Sequence, residues 1–203
     1  MDEYLRKNSV LLRGTAQCEP VFSHENHGKR FYRFLLSVSR LSQQQDCLWV
    51  LATEEQLSPL RPLRCRRLQV EGQLRSFNNK SGQGSKLVIS VLAQDLQLTA
   101  EEDCNCIRLL GVICKPPVLR RTPLGRCISD VMLAVNRRYG RADYLPCIAW
   151  GQVAVAIGHM GVGDTVYLEG RVQSRQYTKV LGDCSEVRTA FEVSIMRLLQ
   201  EGE

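Results

Sequence analysis

The sequence predicts an all-β chain of two tandem five-stranded barrels, and three observations predict it. The chain repeats itself: Asn8, Gly14, Pro20-Val21 and Gly28 recur as Asn105, Gly111, Pro117-Val118 and Gly125, 97 residues further on, and Asp46 meets Asp143 at the same offset. At Glu71-Gly72 and Glu169-Gly170 the offset has grown to 98, so one residue has been inserted while the pairing continues. Each repeat is a series of short alternating apolar runs broken by Gly, Pro and polar turns, the pattern of half-buried strands. Each also has one interruption of different period between its third and fourth runs. With 203 residues, 44% of them hydrophobic, the chain can fill two cores of about 100 residues each. The expected domains are residues 1–100 and 104–199, with a short tail at 200–203.

In the second repeat the strands are expected at Cys106 to Cys114, Ile128 to Asn136, Tyr144 to Trp150, Thr165 to Arg175 and Arg188 to Leu198. Between the third and fourth, Val153, Ala156, Ile157 and Met160 fall at helical spacing and stop at Gly161-Val162-Gly163. Five strands with a helix between the third and fourth is the order of an OB-fold barrel. The first repeat reads the same way at Ser9 to Ala16, Phe31 to Leu41, Asp46 to Ala52, Arg67 to Arg75 and Lys86 to Leu98. Its middle segment, Ser58-Pro59-Leu60-Arg61-Pro62, carries two prolines, so its helix is expected to be short or absent. The connector Thr99 to Asp103 is brief and acidic. SHENHGK, with His24 and His27, reads as a solvated turn.

Net charge is +6, and both halves tilt basic, 14 Lys+Arg to 9 Asp+Glu before residue 100 and 13 to 12 after it. A polyanionic partner fits this balance. The start, MDEYLRKNSVLL, has no apolar run long enough for a signal peptide or membrane span, so a cytoplasmic, nucleoid-associated protein with no membrane partner is expected. Nine cysteines make no CxxC pair, and Cys104-Asn105-Cys106 lacks the second pair that a zinc site wants. The expectation is reduced, mostly buried thiols, with no metal and no cofactor. Three histidines without a motif-positioned acid, and no phosphate-cradling Gly-Lys loop, argue against an enzyme.

The residues that bear on binding cluster in the second repeat. Leu133 to Tyr139 ends a strand in a basic, aromatic tip, and a further strand follows after four residues. On that strand Tyr144, Pro146, Ile148 and Trp150 share one face, while Leu145, Cys147 and Ala149 share the smaller, core-like one. On the next, Arg171, Gln173, Arg175 and Tyr177 share parity, a polar and aromatic stripe that a core strand would not carry. Trp150 by itself fits a core as readily as a stacking platform. Tyr139 and Tyr177 stand beside Arg138 and Arg175 at expected strand-to-loop transitions, where a buried ring would be unusual.

The runs NRRY, DYLPCIAWG and DTVYLEGRVQSRQY, in this order, resemble the bacterial single-stranded DNA-binding protein family, and the resemblance covers residues 104–199. It implies that Tyr139, Tyr144, Trp150 and Tyr177 stack bases, and that Arg120, Arg137, Arg138, Arg171 and Arg175 contact the phosphate backbone. It also implies single-stranded DNA as partner, bound without chemistry, and a homodimer presenting four OB folds. Family members commonly carry a Gly/Pro-rich linker and an acidic tail that recruits repair and replication enzymes. This chain stops at Leu199-Gln200-Glu201-Gly202-Glu203, so recruitment by that route is not expected.

The first repeat keeps Gly14, Ser39-Arg40 and Glu71-Gly72-Gln73-Leu74-Arg75-Ser76, yet has Ser42, Cys47, Thr53 and Asn79 where the second has Tyr139, Tyr144, Trp150 and Tyr177. Its own candidates for contact are Arg40, Trp49, Arg66, Arg67, Arg75 and Phe77. It reads as a weaker or mainly architectural barrel, with Arg61, Arg64, Arg66 and Arg67 as a basic run. Two alternatives share these features: an OB-fold RNA-binding module, because stacking does not itself select DNA, and a primosome-type interaction adaptor.

Overall fold

The computed structural model describes residues 8–79, 85–181 and 184–200. They form two compact units: one comprises Ser9–Arg75 with Ser90–Cys106, the other gathers the described residues of Ser76–Ile89 and Ile107–Glu203.

The first unit is built on β1 (Asn8–Ala16, from Ser9 on), β2 (Val21–Asn26), β3 (Lys29–Ser39), β4 (Gln45–Thr53), β5 (Arg67–Asn78, as far as Arg75) and β6 (Leu87–Leu98, from Ser90 on). Hydrogen bonding runs β1-β5-β6-β4-β3 and closes through β3 onto β1, with Thr15 opposite Ser37. The β4–β6 pair is parallel, Val50 facing Val91, and β1–β3, β1–β5 and β3–β4 are antiparallel. Alternation in the sequence becomes alternation in burial: Leu12, Phe34, Leu36 and Leu68 are fully buried. Each such side chain stabilises the core by about 1.5–3 kcal/mol. Gly14 and Gly72 lie where strands press together; a Cβ on either would run into the carbonyl oxygen of Ser37 or Leu92.

Two features of this unit differ from expectation. Val21–Asn26 is a strand, hydrogen-bonded to β3 through a turn in which His27 and Gly28 both take positive φ (48° and 70°), the geometry of a primed hairpin turn. Its residues show no alternation because every one of them is exposed. The helix is short, as expected, but it precedes the prolines. Glu54–Leu57 (α1) is started by a capping box between Thr53 and Gln56 and drives Leu57 into the core, and Ser58–Leu60 continues as a 3₁₀ turn.

The second unit contains β7 (Cys104–Arg121, from Ile107 on), β8 (Cys127–Asn136), β9 (Ala142–Trp150), β10 (Thr165–Leu181) and β11 (Cys184–Leu198). The order β7-β8-β9-β11-β10 closes back onto β7, again with one parallel pair, Cys147 beside Val193. Ile107, Leu109, Ile113, Leu133 and Leu145 fill the core. Pro116 and Pro117 cannot donate to the ladder, and the β7–β8 register slips on either side of Lys115. Gly151–Gly158 (α2) follows β9 directly and buries Ala154 and Ile157. β10 and β11 run well past the strands expected from sequence, as one long hairpin pairing Tyr177 with Arg188.

The described cysteines are all free, but only Cys147 is buried, against the expectation of mostly buried thiols. Burial pushes its thiol far above the ordinary range, and burial likewise raises Cys104. The side chain of Cys184 lies outside the described residues. No helix among the described residues is long and apolar enough to cross a membrane.

Candidate nucleic-acid interface

The β8–β9 hairpin positions the first group of side chains. Its tip is a 3₁₀ turn, Arg138–Gly140, closed by a hydrogen bond from the Arg137 N–H to the Arg141 carbonyl at 2.7 Å. Tyr139 sits in that turn at φ 63°, ψ 36°, with its side chain 95% exposed. A bulky residue in the left-handed region is costly, and no burial of the ring offsets it here.

At the base of the hairpin Asp143 is fully buried, and Arg137 closes on it with two nitrogens, Nε donating to Oδ2 at 2.5 Å and Nη2 to Oδ1. The Ser76 N–H donates to the same carboxylate at 2.5 Å, and Arg137 Nη2 also reaches the Ser76 carbonyl at 2.9 Å. The Ser76 hydroxyl accepts the N–H of Tyr144 at 2.8 Å. The guanidinium of Arg137 is thus engaged with Asp143, and the cluster fixes where Tyr144 leaves the hairpin. Arg40 grips buried Asp46 in the first unit through the same two nitrogens, both at 2.6 Å.

Along β9 the outward face carries Tyr144 at 53% exposure, half-buried Pro146 and Trp150 at 42%. Ile148, which parity put on that face, is buried, because β11 runs alongside with Ser194 paired to it. Tyr144 and Trp150 stand about 20 Å apart along the strand at the usual rise per residue. On β10 Tyr177 is half-buried within the strand rather than at a loop, because the hairpin continues to Leu181.

The cations differ in how free they are. Arg120 holds Asp130 at 2.8 Å, both half-exposed. Arg175 is well exposed and stands 3.9 Å from Glu192, which also accepts from the Gln173 amide at 2.8 Å. Arg171 is half-buried with its Nε unpartnered among the described residues. Arg138 is exposed beside Tyr139.

In the first unit Trp49 is half-buried beneath the guanidinium of Arg33, 5.1 Å from the ring centre. Arg66 is exposed. Arg67 is tied to the acidic connector, to Asp103 at 2.8 Å and the Glu101 carbonyl at 2.5 Å. Arg75 donates to the Gln73 amide oxygen. Phe77 is 54% exposed and belongs to the compact unit that contains Tyr144. Sequence reading gives Phe31 and Tyr32 only as further rings, some of them core, and misses the cluster they build on the β2–β3 hairpin: Phe22 edge-on to Tyr32, His24 stacked on Phe31 at 5.0 Å, and Arg30 and Arg61 over Tyr32. The signal was the placing of Phe22 and His24 opposite Tyr32 and Phe31 across the His27-Gly28 turn, visible once β2 and β3 are paired. It also missed Arg126, in the β7–β8 turn.

Residues 104–199 match the model of the single-strand binding protein family. A single-stranded DNA-binding protein of Halalkalibacterium halodurans is 30% identical over 99 residues, 45% of this chain and 56% of the relative. Single-stranded DNA-binding protein B of Bacillus subtilis is 35% identical over 80 residues, 36% of this chain and 71% of the relative. The chain spans about half the length of the first of these and of the two Listeria innocua relatives, 56% and 50%. Among solved structures, the wild-type single-stranded DNA-binding protein of Thermus aquaticus shares the fold with a TM-score of 0.76, 22% identity, and 97% of this chain and 93% of that one covered. With the repeat, the closed five-stranded barrels and these relatives together, the chain belongs to the single-strand binding protein family.

Proposed function

We propose that this protein binds and protects single-stranded DNA without sequence preference, in replication, recombination or repair. The observation that carries the reading is the outward face of the second unit, where Tyr139, Tyr144 and Trp150 expose their rings on one hairpin with Arg138 and Arg175 close by in sequence or exposed on β10. Stacking on each ring contributes about 1–3 kcal/mol and tolerates any base, since every base has a π-face. The arginines attract phosphates and release counterions. Arg138, Arg171 and Arg175 are the backbone contacts in this reading, with Arg120 available if Asp130 yields it. Arg137 and Arg40 are positioning residues, because their guanidinium groups hold Asp143 and Asp46.

Residues 104–199 form the working domain. Residues 1–100 carry weaker contacts, Trp49 and Arg66 in the first unit and, separately, Phe77 in the second, Arg67 and Arg75 being engaged elsewhere. A homodimer would present four barrels, and linking sites in this way raises affinity without new contacts. The protein acts by binding, in the cytoplasm.

The test is a titration of fluorescent oligo-dT of increasing length, followed by anisotropy at two salt concentrations with duplex DNA and oligo-U as competitors. Tight, length-dependent, salt-sensitive binding that neither competitor displaces supports the reading. Absence of binding sinks it, and preferential loss to oligo-U turns it into an RNA module.

A further inference from the structure

We infer that Ser76, a residue of the first repeat, is a positioning residue for nucleic-acid binding by the second, because it fixes the strand position from which Tyr144 is presented. The inference rests on the single-strand-binding reading and deepens it. The residues that match the family model begin at 104 and so do not include Ser76; the working domain is completed from outside its own repeat. Ser76 lies near the end of β5, yet it belongs to the compact unit that contains β8 and β9.

Each polar group of Ser76 meets the base of the β8–β9 hairpin. Its N–H donates to Asp143 Oδ1 at 2.5 Å, its carbonyl accepts from Arg137 Nη2 at 2.9 Å, and its hydroxyl oxygen accepts the N–H of Tyr144 at 2.8 Å. Ser76 is buried and Asp143 fully so, which leaves water little chance to compete for these groups. One serine therefore pins two consecutive residues of β9, Asp143 through its side chain and Tyr144 through its backbone. The main-chain bonds of Ser76 belong to the clasp, while its hydroxyl serves Tyr144. In the described ladder β11 meets β9 at Cys147 and Ile148, further along the strand, so at Tyr144 a side chain stands in for a neighbouring strand. Holding this N–H sets the direction in which the half-exposed ring leaves the strand. A ring whose backbone is already ordered loses less freedom when a base stacks on it.

Ser76 is itself held in place. The Asn79 N–H donates to the Lys86 carbonyl at 2.7 Å, which joins the end of β5 to the start of β6, and the Ser85 hydroxyl donates to the Thr189 carbonyl of β11 at 2.7 Å. The repeat points the same way. Ser76 closes Glu71-Gly72-Gln73-Leu74-Arg75-Ser76, the counterpart of Glu169-Gly170-Arg171-Val172-Gln173-Ser174, although the first repeat has Ser42, Cys47, Thr53 and Asn79 in place of the second repeat's rings. A repeat without those rings of its own still carries the serine, and the hydroxyl of that serine serves a tyrosine of the other repeat.

The test is a double-mutant cycle on the full chain, read by oligo-dT anisotropy, with hydrogen exchange of the Tyr144 amide followed by NMR. Ser76→Ala removes the hydroxyl and leaves both main-chain bonds to the clasp. It is expected to quicken exchange of the Tyr144 amide about tenfold more than that of the other β9 amides, and to weaken oligo-dT binding about fivefold. In a Tyr144→Ala background the same substitution is expected to change affinity less than about twofold, because no ring is left to position. In a Phe77→Ala background the fivefold loss is expected to remain, since the neighbouring ring is not the one that Ser76 positions. A serine that merely supported the fold would weaken binding equally in all three backgrounds. Unchanged affinity in Ser76→Ala, equal losses with and without Tyr144, or an unchanged Tyr144 amide each overturn the inference and leave the single-strand-binding reading standing. A wild-type protein that does not bind oligo-dT overturns that reading and this role with it. Should Ser76→Ala fail to fold, Ser76→Cys, whose sulfur is a weak acceptor, carries the same cycle.

Discussion

Arg137 closes on the fully buried carboxylate of Asp143 with two of its nitrogens, at the base of the hairpin that carries Tyr139 and Tyr144. The carboxylate is satisfied from a second direction by the Ser76 N–H, so its negative charge is compensated within the fold. The first unit builds the same clasp from Arg40 and Asp46, six residues apart as in the second. A device kept by both repeats, although only one keeps the exposed tyrosines, belongs to the barrel and serves the binding face by holding the hairpin.

Asp143→Ala should therefore destabilise the protein by about 3 kcal/mol, since it strands the guanidinium of Arg137 and the Ser76 N–H. Arg137→Lys should recover only part of this, because an ammonium cannot supply the paired nitrogens. Urea denaturation of both variants measures the effect. Equal stability of Arg137→Lys and wild type would show that the bidentate geometry contributes nothing.

Salt dependence separates positioning arginines from contacting ones. Arg175→Ala and Arg171→Ala should each lower the magnitude of the slope of log affinity against log salt by about 0.7, the amount expected for one phosphate on a single strand. Arg40→Ala should leave the slope unchanged while lowering stability. Oligo-dT titrations at four salt concentrations distinguish them; a reduced slope for Arg40→Ala would return that residue to the interface.

Much of the barrel was legible in the sequence, because a closed β-barrel forces inward and outward residues to alternate, and the repeat supplied the reading twice. Leu133 and Leu145 fell inside and Tyr144 and Trp150 outside for that reason. β2 was not legible, since an edge strand exposed on both faces has no alternation to read. The burial of Ile148 follows from parallel pairing with β11, a contact between segments more than forty residues apart. The engagement of Arg137 was hidden for another reason: an arginine in a basic, aromatic run looks the same whether its partner is a phosphate or a carboxylate. The recurrence of Asp46 as Asp143 was the available clue, and pairing each with the arginine six residues before it would have exposed the clasp.

Acid should weaken the fold through carboxylates held by arginine. Glu169 lies below its ordinary range, chiefly because Arg197 donates to it, with Arg108 assisting against the opposing effect of burial. Burial pushes Asp103 up, but the Ser39 N–H and Arg67 outweigh it and hold it low. For groups whose folded pKa is depressed, the stabilisation is present above the unfolded value, 4.5 for Glu169 and 3.8 for Asp103, and is lost as pH falls through the folded value. Stability should be flat from pH 7 down to about 5 with respect to these groups and fall below that. Glu169→Gln should flatten part of the decline. Denaturation midpoints between pH 7 and pH 3 measure it, and an unchanged profile in Glu169→Gln would remove that carboxylate from the account.

Tyr139 offers the sharpest separation of stability from binding. Its backbone occupies the left-handed region, where a side chain costs about 1–2 kcal/mol relative to glycine, and its ring is almost wholly in solvent. Nothing in the turn needs the ring, since the hydrogen bond between Arg137 and Arg141 is made by backbone atoms alone. Tyr139→Gly should relieve the strain, with about 0.5 kcal/mol given back to the greater freedom of the unfolded glycine, and so raise stability slightly. The same substitution should weaken oligo-dT binding by about 1–3 kcal/mol, the contribution of one stacked base. Thermal melts and oligo-dT titrations of one purified variant read both quantities. A more stable protein that binds more weakly would mean that the ring is held in place for the nucleic acid, whereas a less stable protein with unchanged affinity would make Tyr139 a structural residue.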